Sequence, residues 1–457
     1  MYYSLYYLFF ISLYYVKSLE VLHNETVRVR ISTGEIEGYI DRNGKSHVHV
    51  FKGVPFAEPP VGNLRFSLPK EKSPWHFTWD AKQYRAACMA NTTVATKLQK
   101  VISEDCLYMN IFADSRCTPN DSCPVIYYIH GGGFFWGSAV QFEDEFVIDR
   151  YASDRMVFLI PAYRLGMFGF WDFGDDTIVP RNLGLHDMIM SLKWVQKEIL
   201  AFGGDPGRVT LMGNSAGAST IQFLSVSPAV PRDYYSNIVI SSGSPTTFNG
   251  FNHSATNFIV KQSGCRENVS NPNNFSQIVD CLRQVDAFKL LDMAQLAESE
   301  DDVFFDGIVS DGPLFHNKTF TQLLSEWKQV PLFIGATKYE MYDHYKNITI
   351  LCRKYGSIFD YSANRTIQAC VDKYDNLMEK YKVRQMLIDS THAEVYREAA
   401  LNTRKGQPSY VWEFTMQGHN MHAGDISFMI GTHRPIVLTE EERVTNQAMY
   451  KAMTILK

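Results

Sequence analysis

Residues 208–226 constrain the fold most. An apolar, strand-like run, Arg208-Val209-Thr210-Leu211-Met212, leads directly into Gly213-Asn214-Ser215-Ala216-Gly217, and a helical stretch begins at Ala216. A strand can pass into a helix this abruptly only through a tight turn, with small residues on both sides so that neighbouring backbone can come close. The turn lifts the Ser215 hydroxyl out at the strand's end, and the new helix presents free N–H groups beside it. Gly-x-Ser-x-Gly alone is a weak pattern, and a glycine-rich helix entry capped by serine is the plain alternative. The strand–turn–helix context makes it a candidate nucleophile site.

The surrounding sequence has the same rhythm. Val125–Ile129 and Met156–Ile160 are apolar runs suited to buried strands, and Asn237–Ile240, Pro331–Ile334 and Tyr410–Phe414 are further strand candidates. From Leu185 to Ile199 apolar residues recur at 185, 188, 189, 192, 195 and 199, one face of a helix. Asp205-Pro206-Gly207 reads as a turn. The polar stretch from Asn249 to Gln277 reads as a surface excursion. Alternating strands and helices predict an α/β class with a central, mostly parallel sheet and helices on both faces. No repeat or low-complexity tract divides the chain, so residues 19–457 are expected to form one domain. Hydrophobic residues are 45% and charged residues 20% of the 457, ordinary for a globular protein. The formal charge of −5 gives no sign of nucleic-acid binding.

A second glycine-rich feature follows the first apolar strand: His130-Gly131-Gly132-Gly133-Phe134. Backbone N–H groups in such a run can point at a developing oxyanion, and Ala216, after the serine, supplies another. A flexible turn or a phosphate loop would also use glycines, but no Lys-Ser/Thr follows as a phosphate loop requires.

Three features bear on compartment. Met1–Val16 is uncharged and rich in Tyr, Leu, Phe and Ile until Lys17 and Ser18 break the run, so residues 1–18 are expected to be a secretion signal; a buried strand or signal anchor is the alternative. No later segment is long and uncharged enough to predict a membrane span. Nine Asn-x-Ser/Thr sites stand at Asn24, Asn91, Asn120, Asn252, Asn268, Asn274, Asn317, Asn347 and Asn364. The eight cysteines fall as four sequential pairs with short loops, although eight cysteines permit 105 connectivities. No Cys-x-x-Cys suggests zinc, and oxidised structural bridges suit a secreted chain.

Taken in order, the longer segments resemble the type-B carboxylesterase and cholinesterase family of the α/β-hydrolase superfold. They are Phe51-Lys52-Gly53-Val54-Pro55-Phe56-Ala57-Glu58-Pro59-Pro60-Val61-Gly62 with Leu64-Arg65-Phe66, then Ser103-Glu104-Asp105-Cys106-Leu107-Tyr108-Met109-Asn110, the His130 glycine run, Tyr163-Arg164-Leu165-Gly166, Phe202-Gly203-Gly204-Asp205-Pro206 and the Ser215 turn. The likeness is dense over about residues 27–245 and thinner through Asp311-Gly312 and Val330-Pro331-Leu332-Phe333-Ile334-Gly335 to His422.

The resemblance implies a Ser215, Glu340, His422 triad with Gly132, Gly133 and Ala216 as oxyanion donors. Glu340 sits where the family glutamate follows its strand, with Asp343 as nearest rival and Met341 in place of the usual glycine. His422 has an acid three positions on, Asp425, and His419 does not. By family position Cys88–Cys106 and Cys265–Cys281 are bridges; Cys117–Cys123 and Cys352–Cys370 follow from proximity only. Arg65–Glu104 and Arg164–Asp187 are implied ion pairs.

The implied activity is secreted serine hydrolysis of small-molecule carboxylic esters through an acyl-enzyme, with neither metal nor organic cofactor. A catalytically inactive cholinesterase-like adhesion or binding protein, a cholinesterase and a lipase are the alternatives. Cholinesterases hold a quaternary ammonium on a tryptophan between the cysteines matching Cys88 and Cys106. Residues 89–105 hold no such aromatic, and Asn214 replaces a glutamate common beside the nucleophile, so acetylcholine is not the expected preference. Trp136 is the residue that could substitute. The chain ends about 35 residues after His422 without the family's usual closing segment, a departure expected to bear on stability more than mechanism.

Overall fold

A computed structural model describes residues 25–453 apart from 44, 92–98, 244–253, 272–273, 300–306, 310–311, 319, 341–346, 359–362 and 433–436. The expected signal at residues 1–18 lies outside the described residues. Its framework is one large sheet built from β1 (Thr26–Ile31), β2 (Gly34–Asp41), β3 (Val48–Pro55), β4 (Thr78–Asp80), β5 (Tyr108–Asp114), β6 (Cys123–Ile129), β7 (Val157–Pro161), β8 (Gly204–Asn214), β9 (Asn237–Ser241), β10 (Leu332–Thr337) and β11 (Ser409–Phe414). The spatial order is 1-2-3-5-7-6-8-9-10-11, with β4 beside β2.

Strands 7-6-8-9-10-11 are parallel, whereas β1, β2, β3, β5 and β7 pair antiparallel with their neighbours along the order. Every residue of β7 is buried, as are all but one each of β5 and β6. Successive side chains of a strand point to opposite faces, so unbroken burial means that both faces of the central sheet are covered. The N-terminal antiparallel strands went unread in the sequence, although β1 alternates Val27, Val29 and Ile31 with polar residues. The expected turn at Asp205–Gly207 is instead a bulge inside β8. Pairing with β6 jumps from Gly204–Cys123 to Val209–Val125, and Gly207 N–H donates to Asp205 Oδ1 at 2.8 Å.

The helices used below are α1 (Leu183–Glu198), α2 (Ala216–Val226), α3 (Ser254–Gln262), α4 (Phe275–Gln284), α5 (Ala287–Ser299), α6 (Ile348–Ile358), α7 (Asn364–Asp372), α8 (Glu379–Arg404) and α9 (Glu440–Met453). α2 packs on β6, β8 and β9, and α8 packs on β10 and β11. The main core surrounds this sheet. A second core joins Phe66, Phe168 and Trp171 to apolar residues of α3, α4 and α5. The stretch read as a surface excursion therefore contributes to a core, because Ile259, Val260 and Cys265 are buried in it. A third, smaller core lies among α6, the segment after α7, and α8.

The eight cysteines pair as Cys88–Cys106, Cys117–Cys123, Cys265–Cys281 and Cys352–Cys370. Arg65 grips Glu104 through two 2.6 Å contacts, and Arg164 grips Asp187 at 2.8 and 2.7 Å. Both pairs are bidentate, the Arg164 pair buried and the Arg65 pair partly so, which is how a guanidinium tolerates loss of water.

Candidate active site

Four adjacent parallel strands each deliver one part of the site at their C-terminal ends. β8 ends at Asn214, followed at once by Ser215; β9 ends at Ser241; Glu340 lies three residues after β10; and His422 lies eight residues after β11. Ser215 takes φ 54° and ψ −124°, a backbone conformation rare for a residue with a side chain. Its neighbours explain how the turn is possible. A Cβ on Gly217 would lie 2.1 Å from the Ile129 carbonyl oxygen, so only glycine admits this crossing of α2 over the end of β6. Ser215 N–H donates to Ser241 O at 2.9 Å, which ties the turn to β9.

His422 Nε2 lies 2.9 Å from Ser215 Oγ, and His422 Nδ1 is hydrogen-bonded to Glu340 Oε2. The other carboxylate oxygen of Glu340 accepts from the Thr337 N–H and Oγ1, both at 2.8 Å. Burial alone would push Glu340 up, but the facing His422 and the hydrogen bonds it receives outweigh that and hold it below the usual carboxylate value. Burial likewise disfavours charge on His422, but Glu340, with a smaller contribution from Asp425, carries its pKa above the free imidazole value. Both shifts favour the same charged pair. Asp343, the rival acid, lies outside the described residues.

The glycine run leans against the serine: a Cβ on Gly131 would lie 3.0 Å from Ser215 Cβ. Gly132 has φ 120°, and its carbonyl closes the loop by accepting from Phe135 and Trp136 N–H at 3.1 and 2.9 Å. A Cβ there would lie 2.0 Å from the Trp136 carbonyl oxygen. Ala216 is the first residue of α2, so its N–H has no partner one turn earlier in the helix. His130 anchors the loop from below. Its ring stacks on Tyr163 with centroids 4.5 Å apart, and the Tyr163 hydroxyl donates to the His130 carbonyl at 2.8 Å. Burial lowers the His130 pKa to about 4, so the ring is neutral.

Two participants were not singled out from sequence. Asn214 Nδ2 donates to Ser241 Oγ at 3.1 Å, and Ser241 Oγ donates to the enclosed Asp425. Burial raises Asp425 to about 6. Asp425 had served only to choose His422 over His419, and Ser241 carried no motif; their meeting depends on β9 lying beside β8. Among the described residues, no group of three or more His, Cys, Asp or Glu gathers as a metal site. Of the glycosylation candidates, Asn120, Asn268, Asn317, Asn347 and Asn364 are exposed, and Asn91 and Asn274 are half-buried. Asn24 and Asn252 lie outside the described residues.

The model of the carboxylesterase family matches residues 25–455. The chain belongs to that family. Among its carboxylesterase relatives, juvenile hormone esterase of Tribolium castaneum is 34% identical over 57% of this chain and 44% of its own length. The match thus spans under half of that relative. Pyrethroid hydrolase Ces2e of Rattus norvegicus is 27% identical over 92% of this chain and 79% of that one. Gut esterase 1 of Caenorhabditis elegans is 39% identical over 47% of this chain and 37% of that one. The crystal structure of juvenile hormone esterase from Manduca sexta superposes with a TM-score of 0.77 at 24% identity, covering 94% of this chain and 90% of that one. That likeness shows this carboxylesterase-family chain to have the α/β-hydrolase fold.

Proposed function

We propose that this chain is a secreted serine carboxylic-ester hydrolase whose triad is Ser215, His422 and Glu340. His422 takes the Ser215 proton as the hydroxyl attacks an ester carbonyl. Glu340 orients the imidazole and stabilises the imidazolium. N–H groups of Gly132, Gly133 and Ala216 hold the oxyanion, where losing a single donor typically raises the barrier by ~2.7–4 kcal/mol. The alcohol leaves with the proton from His422, and water then resolves the acyl-enzyme along the same path. This chemistry needs neither a metal nor an organic cofactor, and its partners are small-molecule esters.

The observation that carries the reading is the continuous contact from Glu340 through His422 to Ser215, with 2.9 Å at the serine. Secretion is supported by four disulfides and by exposed glycosylation candidates. Among the described residues no helix is long and apolar enough to cross a membrane. We read residues 1–18 as the secretion signal and 19–457 as one hydrolase domain.

The test is Ser215→Ala. Turnover of p-nitrophenyl esters is expected to fall by roughly 10⁴-fold or more, with unchanged circular dichroism, and an organophosphate is expected to label Ser215 in the parent. An Ala variant that hydrolyses at the parent rate overturns the assignment.

A further inference from the structure

The loop that carries His422 is held from two sides. On the inner side His422 N–H donates to Tyr339 O at 3.1 Å, and Tyr339 N–H donates to Asn420 O at 2.9 Å. These bonds tie the loop to the segment that presents Glu340. The outer tie belongs to a different histidine. His419 Nε2 is 2.8 Å from Glu442 Oε1, and its ring meets the Phe428 ring edge-on with centroids 5.1 Å apart.

Glu442 belongs to α9, and both its carboxylate oxygens are engaged. While Oε1 meets His419, Oε2 accepts the Thr439 N–H at 2.6 Å, and Glu442 N–H returns to Thr439 Oγ1 at 3.2 Å. Thr439 and Glu442 thus form a capping box that closes the start of α9. Further along, α9 is anchored to the segment before β7. The Tyr450 hydroxyl donates to Asp154 at 2.7 Å, and Arg150 donates to Asn446 O at 3.3 Å and to its side-chain oxygen. The helix is therefore a fixed support, and its capping carboxylate reaches across to a ring three residues before His422.

We infer that His419 is a positioning residue for His422, acting through Glu442, so that the docking of α9 sets the orientation of the catalytic imidazole. The inference rests on the triad reading proposed above. The charged and titratable groups that face this stretch are Glu442 from α9, and Glu340 and Asp425 around His422 itself. A small rotation of the loop moves His422 Nε2 off Ser215 Oγ, and misplacement by about an ångström can lower a rate by ~10²-fold.

The experiment compares parent, His419→Ala, Glu442→Ala, Glu442→Gln and Thr439→Ala. It follows kcat and KM for p-nitrophenyl butyrate and the low-field proton resonance of His422 Nδ1–H. His419→Ala and Glu442→Ala are expected to lower kcat by on the order of tenfold, leave KM within about twofold and broaden the resonance. Glu442→Gln has one accepting oxygen where the carboxylate uses two, so it can serve the ring N–H only at the expense of the Thr439 N–H and is expected to restore part of the rate. Thr439→Ala removes only the Oγ1 that accepts from Glu442 N–H, keeps the backbone N–H that holds Glu442 Oε2 and leaves the ring contact intact, so it is expected to keep the parent's kcat. The inference is overturned if Thr439→Ala falls as far as Glu442→Ala, or if His419→Ala leaves both kcat and the resonance unchanged. A parent that hydrolyses no ester counts against the triad reading instead, and the resonance then decides whether His419 positions His422.

Discussion

At the scale of single residues, the site is an electrostatic balance around one imidazole. Glu340 has lost nearly all contact with water, yet it is held charged because His422 and Thr337 face its oxygens. In the proposed mechanism His422 must be neutral to accept the Ser215 proton, and its pKa is raised. The expected kcat/KM therefore climbs with pH through a value above the ordinary imidazole 6.5. Glu340→Gln removes the charge that raises it. The acid limb is then expected to move to lower pH, while the plateau falls by on the order of 10³–10⁴-fold. A pH series of kcat/KM on both proteins checks this, and an unmoved limb removes Glu340 from the triad. Ser215 was legible in sequence because a strand, a tight turn and a helix leave a local trace. Asn214–Ser241–Asp425 was not, because its members are separated by 26 residues or more and become neighbours only when β9 pairs with β8.

Among the elements, α8 carries a burden that its sequence hides. Glu394 and Glu398, one helical turn apart, are both buried, and Glu398 accepts from Gln222 of α2 at 2.7 Å. Burial, reinforced by Glu394, raises Glu398 to about 8. The folded chain thus keeps a proton that the unfolded chain releases near the ordinary glutamate value. Stability from this group is whole below that value, declines as pH rises and levels off above about 8. Glu398→Gln keeps the contact to Gln222 without the titration. Its melting temperature is expected to match the parent's at pH 5 and to exceed it at pH 9 by a few degrees, at roughly one degree per kcal/mol for a chain of this length. Scanning calorimetry at the two pH values decides, and equal melting at pH 9 removes the argument. The apolar runs at 125–129 and 156–160 were readable as strands because burial on both faces leaves no polar alternation. The bulge in β8 was not: Asp205-Pro206-Gly207 has the composition of a turn, and only pairing with β6 keeps it within the strand.

For the molecule as a whole, the proposed substrate preference rests on segments far apart in sequence: the glycine run, residues 89–105 and Asn214. Asn214 donates to Ser241 and offers no charge of its own. Asp425, the carboxylate behind it, is fully enclosed. Without an aromatic ring in residues 89–105, the ~0.5–2 kcal/mol of a cation over an aromatic face is missing there. This carboxylesterase-family chain is expected to show no advantage for acetylthiocholine over a neutral isostere in kcat/KM at matched ionic strength. A preference of about tenfold or more, roughly 1.4 kcal/mol, that disappears in Trp136→Ala would reverse this reading.

The four parallel strands that end at the site also act as a measuring device. Each proposed catalytic group or its support follows, within eight residues, a strand whose height is fixed by pairing with its neighbour. A slip of one residue between any two strands displaces an end by ~3.3 Å, more than the 2.9 Å between His422 and Ser215. Such a slip would leave a compact, helical, disulfide-linked chain that spectroscopy could mistake for the native one, yet it would lack the proposed triad contact. If the proposed triad is right, ester turnover is therefore a finer gauge of correct strand alignment than secondary-structure content, and specific activity becomes a proofreading readout for preparations and variants of this chain.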